Sequence, residues 1–548
     1  MPTINIDMKD LKRLIGLNLD ENTIYDTLSA LKCEPEQIVG DKITLEVTSD
    51  RPDFFSCEGI ARGIRLYYDG SGLKVKYYQG SRPVNIKVDP SVVEVRPYIV
   101  SAVLRDLSLD EEALVQMMQL QEKLHTTYCS NRKKGSIGIY DMDKICPPLV
   151  YVALPPNDIR FTPLGSNEIM DGFDILKKTP KGKEYAWILE EKSKYPLLID
   201  SKGTVLSMPP IINSEDTKVT EDTKNLIIDV TGTEERTINL CLNILVTSLM
   251  ERGGALQQVI VTYGGREIIT PKLDFVQTNL NLSTIKSVAG LDLNPDEVLR
   301  LLRKMGHNVE GGEGRVIVWS PPYRADIIHE VDLVEDIVIA IGLNNIKPEI
   351  PTVATIGRPL KGSKVRKRVR DLMIGMGFQE VITYLLSNKS VLEDKVLMNK
   401  RTLVELINPV SSEYSVLRDC ILPKLLQFLG QNTHHPYPQR IFECGDVVFV
   451  QDGLPKVSTH LAAVIADHKV SYEDIQAVAA SLFANMSKSI KFEPYHMHPF
   501  LEGRTAKIIL DGADIGVVGE ISPQALLNFG LEFPVGALEC DLSPLLEH

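Results

Sequence analysis

Apolar and polar positions alternate with two different periods along the chain, and the places where the period changes mark its elements. Thr3 to Asp7 alternates as a strand does, and Asp7 is placed to N-cap a helix over Met8 to Ile15 that stops at Gly16. After Asp20, Ile24, Leu28 and Leu31 recur at helical spacing, while Ile43, Leu45 and Val47 share one side of a strand over Lys42 to Thr48. Ser49-Asp50-Arg51-Pro52-Asp53 is a turn opening a helix with Ile60, Ala61, Ile64 and Leu66 inside, ended by Gly70 and Gly72. Further on, β-rich runs at Val84–Val88, Tyr98–Val103, Leu226–Val230 and Val259–Tyr263 flank helical stretches from Glu111 to His125 and from Ile238 to Arg252. The pairs Pro147-Pro148, Pro155-Pro156 and Pro209-Pro210 punctuate the segment between those helices.

A compact unit follows. Ser283 is expected to N-cap a short helix ended by Gly290, and Pro295 to open a helix carrying Val298, Leu301, Leu302 and Met305 and closed by Gly306. Arg315 to Ser320 reads as a strand blocked by Pro321-Pro322, and a last helix runs to Gly342. Pro348 to Pro359 is Pro-rich and without period. Beyond it helices alternate with strands at Arg440–Phe442, Val447–Val450, Leu461–Ala466 and Thr505–Leu510. The pattern predicts a multidomain α+β protein: an N-terminal α/β unit over 1–80, a mixed α+β domain over 81–268, a small helix-rich domain over 269–347, and a mixed domain on an antiparallel sheet over 348–548.

Composition narrows the class. The 548 residues are 43% hydrophobic and 24% charged, which suits several packed cores and excludes bulk disorder. With 60 Lys and Arg against 73 Asp and Glu, the net charge of −13 argues against a surface coated for non-specific nucleic-acid binding. It leaves room for a local basic face and for a more basic partner. The longest apolar run, Ile337 to Leu343, is far short of a membrane span, and the N-terminus lacks the apolar core of a signal peptide. The eight Cys form no CxxC pair, so neither a zinc site nor a disulfide framework is expected, and a cytoplasmic, reducing location fits.

Three constellations carry chemistry. Asp332, Glu335 and Asp336 share a helix face, and Asp326, at the chain's entry after Pro321-Pro322, can fold over the first turn. Like charges at this spacing repel unless a cation offsets them. The set is either a Mg²⁺ site of hard oxygen ligands or a solvated acidic face at a helix start. Lys361 to Arg370 holds six positive charges above an apolar stripe of Val365, Val369, Leu372, Met373 and Met376; it is a solvated face or a contact for phosphate or an acidic partner. Ser207 to Ser214, with Asn213 and two prolines, joins Asp229 and Thr231 as the polar rim of a pocket or as a structural loop. Gly357-x4-Gly362 is followed by Ser363 and not by the Lys of a phosphate-binding loop, and no GxSxG or HExxH occurs. His434-His435 and His496-x-His498 read as turn or interface histidines.

Taken together, these segments resemble a known family. Thr48-Ser49-Asp50-Arg51-Pro52-Asp53 with Glu58-Gly59-Ile60-Ala61-Arg62, Gly138-Ile139-Tyr140-Asp141-Met142-Asp143, Ser207 to Ser214, and Pro321-Pro322-Tyr323-Arg324-Ala325-Asp326 with Glu335-Asp336 are similar to motifs of phenylalanyl-tRNA synthetase beta subunits. Asn408-Pro409, Glu413, Leu417-Arg418, Leu422-Pro423, Arg440-Ile441-Phe442-Glu443 and Gly503-Arg504 continue the resemblance, which spans essentially the whole chain and is to the shorter, archaeal and eukaryotic type. It implies that 81–268 is an editing-type B3/B4 domain, 269–347 a B5 domain, and 348–548 a class II synthetase-like domain. In the last, the segments completing an ATP site are missing, so it is catalytically silent.

The family attaches phenylalanine to tRNA(Phe) with ATP. ATP and phenylalanine are held mainly by a catalytic alpha subunit, and the implied assembly is an (alpha-beta)2 heterotetramer. The resemblance places a Mg²⁺ shared with the alpha subunit on Asp326, Asp332, Glu335 and Asp336. It also implies hydrolysis of mischarged tyrosyl-tRNA(Phe), because a mainly apolar pocket rejects an added hydroxyl only about a hundredfold. For that hydrolysis Asp229 is the candidate acceptor of the tyrosine hydroxyl, and Asn213, Ser207 and Thr231 are candidates to orient the ester or a water. Without a Ser-His-Asp or Cys-His set, a positioned water without a covalent intermediate is expected. Tyr140 stands where many relatives carry His. A stand-alone trans-editing or RNA-binding protein is the alternative. A metal-dependent phosphoryl-transfer enzyme lacks a phosphate-cradling loop.

Overall fold

The computed structural model describes all residues except 71–72, 74, 79, 81–82, 313 and 547–548, so the expected helix stop at Gly72 lies outside the described residues. Two compact units, Met1–Ile350 and Pro351–His548, meet within the Pro-rich stretch, which has no regular structure from 347 to 360.

In the first unit the strand Thr3–Asp7 pairs antiparallel with Lys42–Val47, whose other side takes Cys33–Val39. This third strand shows no apolar alternation: most of its residues are exposed, and the register shifts between Pro35 and Gln37. The helix Met8–Ile15 begins where the Asp7 carboxylate accepts the Lys9 and Asp10 amides and ends at Gly16, whose φ of 69° suits a residue without Cβ. The helix Cys57–Asp69 is buried along most of its length. Its Arg62 donates to the Thr247 carbonyl at 3.0 Å and lies over the Tyr323 ring, 4.0 Å from the centroid. Glu58 and Asp10 both meet Arg252 in the core, the Asp10 contact being 2.8 Å. Buried charges persist only when paired, so these contacts tie the helices Met8–Ile15 and Cys57–Asp69 to Thr247, Arg252 and Tyr323 further along the chain.

The central sheet has ten strands. Leu226–Gly232 is buried at every position and runs antiparallel both to Tyr98–Arg105 and to the edge strand Gly135–Asp141. Ile228 and Val230 join the core formed with the helices Glu111–Thr126 and Glu235–Met250, while Ile227 and Tyr140 face a second core on the other side.

The small domain joins strands Val276–Asn281, Arg315–Ser320 and Asn308–Gly311 to helices Leu282–Ala289, Pro295–Lys304 and Glu330–Ile341. Asn281 and not Ser283 stands at the N-cap of the first helix, and Glu330 accepts the Asn281 amide at 3.0 Å.

The second unit is built on a seven-stranded sheet, ordered Gln379–Glu380, Gln439–Gln451, Leu454–Ala466, Val535–Asp541, Ala513–Ile521, Phe500–Leu510 and Ile490–Pro494. All pairs but the first are antiparallel. The expected strands at 440–442 and 447–450 are one 13-residue strand. Its central polar stretch faces partners outside the pairing period, with Glu443 on Arg418 and Asp446 on Arg366. The basic run forms the helix Lys361–Gly375 with Val369 and Met373 buried, and Arg366 and Arg370 lie 2.6 Å from Asp446 and Glu380. Part of its positive charge is therefore already offset within the chain.

Candidate functional site

A cavity of about 540 Å³ opens at the edge strand Gly135–Asp141, between the helix Glu111–Thr126 and the loop that carries Pro209 and Pro210. Register sets its chemistry. Asp229 lies opposite Gly138, and Tyr140, two residues further along the edge strand, points to the same face. Its phenol reaches back over Gly138: a Cβ there would lie 1.9 Å from the Tyr140 hydroxyl and 2.4 Å from Asp229 Oδ1. The hydroxyl donates to Asp229 Oδ1 at 2.5 Å and lies 2.7 Å from Ser207 Oγ. A phenol has one proton, so it serves one of these two acceptors at a time, and an ionised carboxylate is the stronger of them.

Burial pushes the Asp229 carboxyl up to about 7, against the pull of the Tyr140 hydrogen bond and of the Arg96 charge. Burial and the neighbouring Asp229 lift the Tyr140 phenol well above its ordinary value. The site is thus a carboxyl near its midpoint at neutral pH, facing a neutral phenol.

Asp229, Ser207 and Asn213 all line this cavity. Asn213 is half-buried, its amide nitrogen 3.4 Å from the Ile139 carbonyl. Thr231 is not among the cavity walls. Its hydroxyl accepts from Arg96 Nε at 3.0 Å and its carbonyl from Arg96 Nη2 at 2.8 Å. It stands behind the site and fixes Arg96.

Several residues of the site have no mark in the sequence. Arg132 donates to the carbonyls of Pro210 and Ile211 at 3.2 and 3.0 Å, holding the loop against the edge strand, and it stacks over Tyr185. Glu122 meets Arg132 at 3.2 Å and Lys181 at 3.3 Å. His125 accepts the Ile137 amide through Nε2 at 2.8 Å, and burial brings its pKa down to about 4, so it is a neutral ring. Arg132 lies 78 and 79 residues before the carbonyls it holds and Lys181 lies 59 after Glu122, so no local spacing marks these contacts.

The four acids of the small domain are separately engaged. Arg324 holds Asp326 at 2.6 Å and Asp336 at 2.8 Å, and His307 Nε2 lies 2.7 Å from Asp336. Burial works to raise Asp336, but Arg324 and His307 keep it well below the usual carboxylate range. Asp332 accepts the amides of Ile328 and His329 at 2.7 Å and completes a capping box. Glu335 pairs with Lys32 at 2.6 Å. Asp326 therefore turns to Arg324 beside it and does not fold over the helix start, because a buried guanidinium stabilises a carboxylate more than a like-charged neighbour does. Among the described residues, no group of three or more His, Cys, Asp or Glu forms a metal-ligand set on this chain alone.

In the second unit, Arg440 is exposed, while Glu443 is buried against Arg418 at 2.7 Å and accepts the Thr383 hydroxyl at 2.7 Å. All eight cysteines are free, and among the described residues no helix is long and apolar enough to cross a membrane.

Comparison with known proteins gives consistent matches. Residues 346–542 match the family model for the phenylalanyl tRNA synthetase beta chain CLM domain, 278–343 that for the tRNA synthetase B5 domain, and 120–259 that for the B3/4 domain. The chain is 41% identical to the phenylalanine–tRNA ligase beta subunit of Pyrococcus horikoshii, over 100% of both chains. It is 40% identical to that of Korarchaeum cryptofilum, over 99% of this chain and 98% of the other. It also resembles the crystal structure of an N-terminal fragment of the Pyrococcus horikoshii phenylalanyl-tRNA synthetase beta subunit, with a TM-score of 0.59 and 42% identity, covering 62% of this chain and 99% of the fragment.

Proposed function

Because the chain belongs to the family of phenylalanine–tRNA ligase beta subunits, we propose that it works with a catalytic alpha subunit in an (alpha-beta)2 assembly in the cytoplasm, and that its own cavity hydrolyses mischarged tyrosyl-tRNA(Phe). The observation that carries the second part is the hydroxyl-reading end of the cavity: one carboxylate, one phenol and one serine hydroxyl, enclosed at the end of a mainly apolar space.

Tyrosine differs from phenylalanine by a hydroxyl that needs an acceptor when buried. Asp229 has a second oxygen beside the one engaged by Tyr140, and it lines the cavity. It accepts the tyrosine hydroxyl, while Asn213 and Ser207 orient the ester or the attacking water. The water adds to the ester carbonyl, the bond to the ribose oxygen breaks, and that oxygen takes a proton. Thr231 contributes by fixing Arg96 behind the site.

The second unit serves as a scaffold for the catalytic partner. Its Glu443 is spent on Arg418 and Thr383, which leaves little of an ATP site. Magnesium belongs to this proposal only as a shared ion. The carboxylate donors suit it chemically, but Arg324 and Lys32 already offset three of them, so the residues do not fit a resident ion on this chain alone. A shared site would have to be completed by the partner, and no step is routed through it.

The test is phenylalanine charging by the chain alone and with its alpha subunit, beside deacylation of tyrosyl-tRNA(Phe). Charging only in the complex, with deacylation lost in Asp229→Ala, is the expected result. Charging by the chain alone would refute the scaffold role, and intact deacylation in Asp229→Ala would remove the role of Asp229. Deacylation by a chain that forms no complex would favour a stand-alone trans-editing protein.

A further inference from the structure

The cavity contains a group, the Tyr140 phenol, to which the hydrolytic reading gives no task of its own. Tyr140 is 1% exposed, its hydroxyl is the hydrogen-bond partner of Asp229 Oδ1, and it joins Asp229 to Ser207. Gly138 opposite Asp229 has no Cβ to occupy the place of that hydroxyl. An isolated carboxylate buried among apolar walls takes up a proton and becomes a poor acceptor. A phenol that donates to one of its oxygens stabilises the ionised form and leaves the other oxygen to accept.

We infer that Tyr140 is a specificity-determining positioning residue: its phenol, fixed between Ser207 and Asp229, keeps the Asp229 carboxylate able to accept the hydroxyl that separates a tyrosyl from a phenylalanyl ester. The inference rests on the hydrolytic reading of the cavity and adds a residue and a reason to it. Ser207 Oγ, 2.7 Å from the phenol oxygen, holds the ring in place beside Asp229. Removing the Tyr140 hydroxyl shifts the carboxyl toward its neutral form, which is the weaker acceptor for the substrate hydroxyl.

The charged and titratable groups that act on Asp229 are Tyr140 from the edge strand, Arg96 from the segment before Tyr98, and Tyr151 beyond Arg96. The acceptor form grows as pH rises through about 7. The Tyr140 hydrogen bond pulls the carboxyl down against burial, so its loss moves that midpoint upward.

The experiment compares the alpha–beta complexes of wild type and Tyr140→Phe, measuring deacylation of tyrosyl-tRNA(Phe) and phenylalanyl-tRNA(Phe) from pH 6 to 9, with thermal melting as the control for folding. Tyr140→Phe should lower the tyrosyl-to-phenylalanyl rate ratio about tenfold or more and move the midpoint of the tyrosyl reaction to higher pH. A purely structural Tyr140 would slow both esters alike and leave the midpoint in place; that result overturns the inference. Should Tyr140→Phe fail to assemble, Gly138→Ala, whose methyl displaces the phenol, decides: a lower ratio supports the inference, and an unchanged ratio overturns it. If the wild-type complex deacylates neither ester faster than Asp229→Ala, the hydrolytic reading fails, and the inference fails with it. Wild-type activity with an unaltered ratio in Tyr140→Phe removes the inference alone.

Discussion

The Arg324 guanidinium meets the Asp336 carboxylate at 2.8 Å, with the two side chains only 1% and 4% exposed, and the same guanidinium holds Asp326. One buried cation thus serves the buried Asp336 and the mostly buried Asp326, with His307 on the same Asp336 oxygen, Oδ2, as the guanidinium. Truncation to Arg324→Ala leaves both carboxylates without their counter-ion. Breaking a buried pair costs about 3–5 kcal/mol, and urea denaturation of the full chain should show a loss in that range. A loss below about 1 kcal/mol would mean that water reaches the site and the pair is not a buried one.

Glu335 is a different case. Its side chain is 55% exposed, and its partner Lys32 also holds Asp50 at 3.0 Å. An exposed pair contributes less than about 1 kcal/mol, so Glu335→Ala should leave the melting of the isolated chain nearly unchanged. Asp332→Ala removes a helix cap and costs about 1 kcal/mol. If the two acids help to hold a magnesium ion shared with the alpha subunit, the double variant should weaken assembly in Mg²⁺ and lose the difference between Mg²⁺ and EDTA. Sedimentation of the mixed subunits reads both. The same Mg²⁺ dependence in variant and wild type would remove the acids from that role.

His125 provides a stability test with a defined sign. The buried ring is held down to about 4 from an ordinary 6.5, with Glu122 pulling upward and Arg132 and Arg96 pushing the same way as burial. The unfolded chain therefore takes up this proton first as pH falls. The folded state is disfavoured progressively below pH 6.5, and the effect levels off below about 4, amounting to about 3 kcal/mol at most. His125→Gln keeps an acceptor for the Ile137 amide and removes the titration. The stability difference between wild type and His125→Gln should change with pH inside this window and be flat above it; a constant difference throughout would show that the ring is not buried neutral.

Much of the frame was legible in the residue pattern, because its cues are local. Asp7 and Gly16 bracket the helix Met8–Ile15, and the alternation of Arg315–Ser320 is read off its own residues. The strand Cys33–Val39 was not, since an exposed strand with a proline at its register shift carries no apolar period. The same division runs through the site. Ser207, Asn213 and Asp229 were open to reading as a polar rim, because they sit in or beside one proline loop and one apolar strand. Thr231 belongs to the same strand, but its hydroxyl is committed to Arg96, 135 residues earlier in the chain. The spacing of Asp326, Asp332, Glu335 and Asp336 marks where carboxylates lie and says nothing of the Arg324 and Lys32 charges that meet them. Pairing across the fold, and not periodicity, decides what each polar group is free to do.

The Asp229 carboxyl links pH to chemistry. Its pKa in the fold, about 7, lies above its ordinary 3.8, so ionisation is disfavoured by folding and the neutral acid prevails below 7. Deacylation of tyrosyl-tRNA(Phe) that depends on the ionised acceptor should therefore rise with pH through about 7. In Asp229→Asn the rise should disappear along with most of the activity. A rise that persists in Asp229→Asn would assign it to hydroxide or to another group.

Gly138→Ala tests the geometry without removing a polar atom. The added methyl has no room: its position is 1.9 Å from the Tyr140 hydroxyl and 2.4 Å from Asp229 Oδ1. The phenol must swing away or the edge strand must shift. Because that strand is at the margin of the sheet and pairs on one side with Leu226–Gly232, displacement of the phenol is cheaper than unfolding the domain. Overpacking of this kind costs about 1–3 kcal/mol, a tolerable loss for a chain with several large cores. Gly138→Ala should retain assembly and phenylalanine charging with the alpha subunit and lose deacylation of tyrosyl-tRNA(Phe). Loss of charging in equal measure would show instead that this strand supports the whole complex, and unchanged deacylation would show that the phenol need not stand over Gly138 for the site to work.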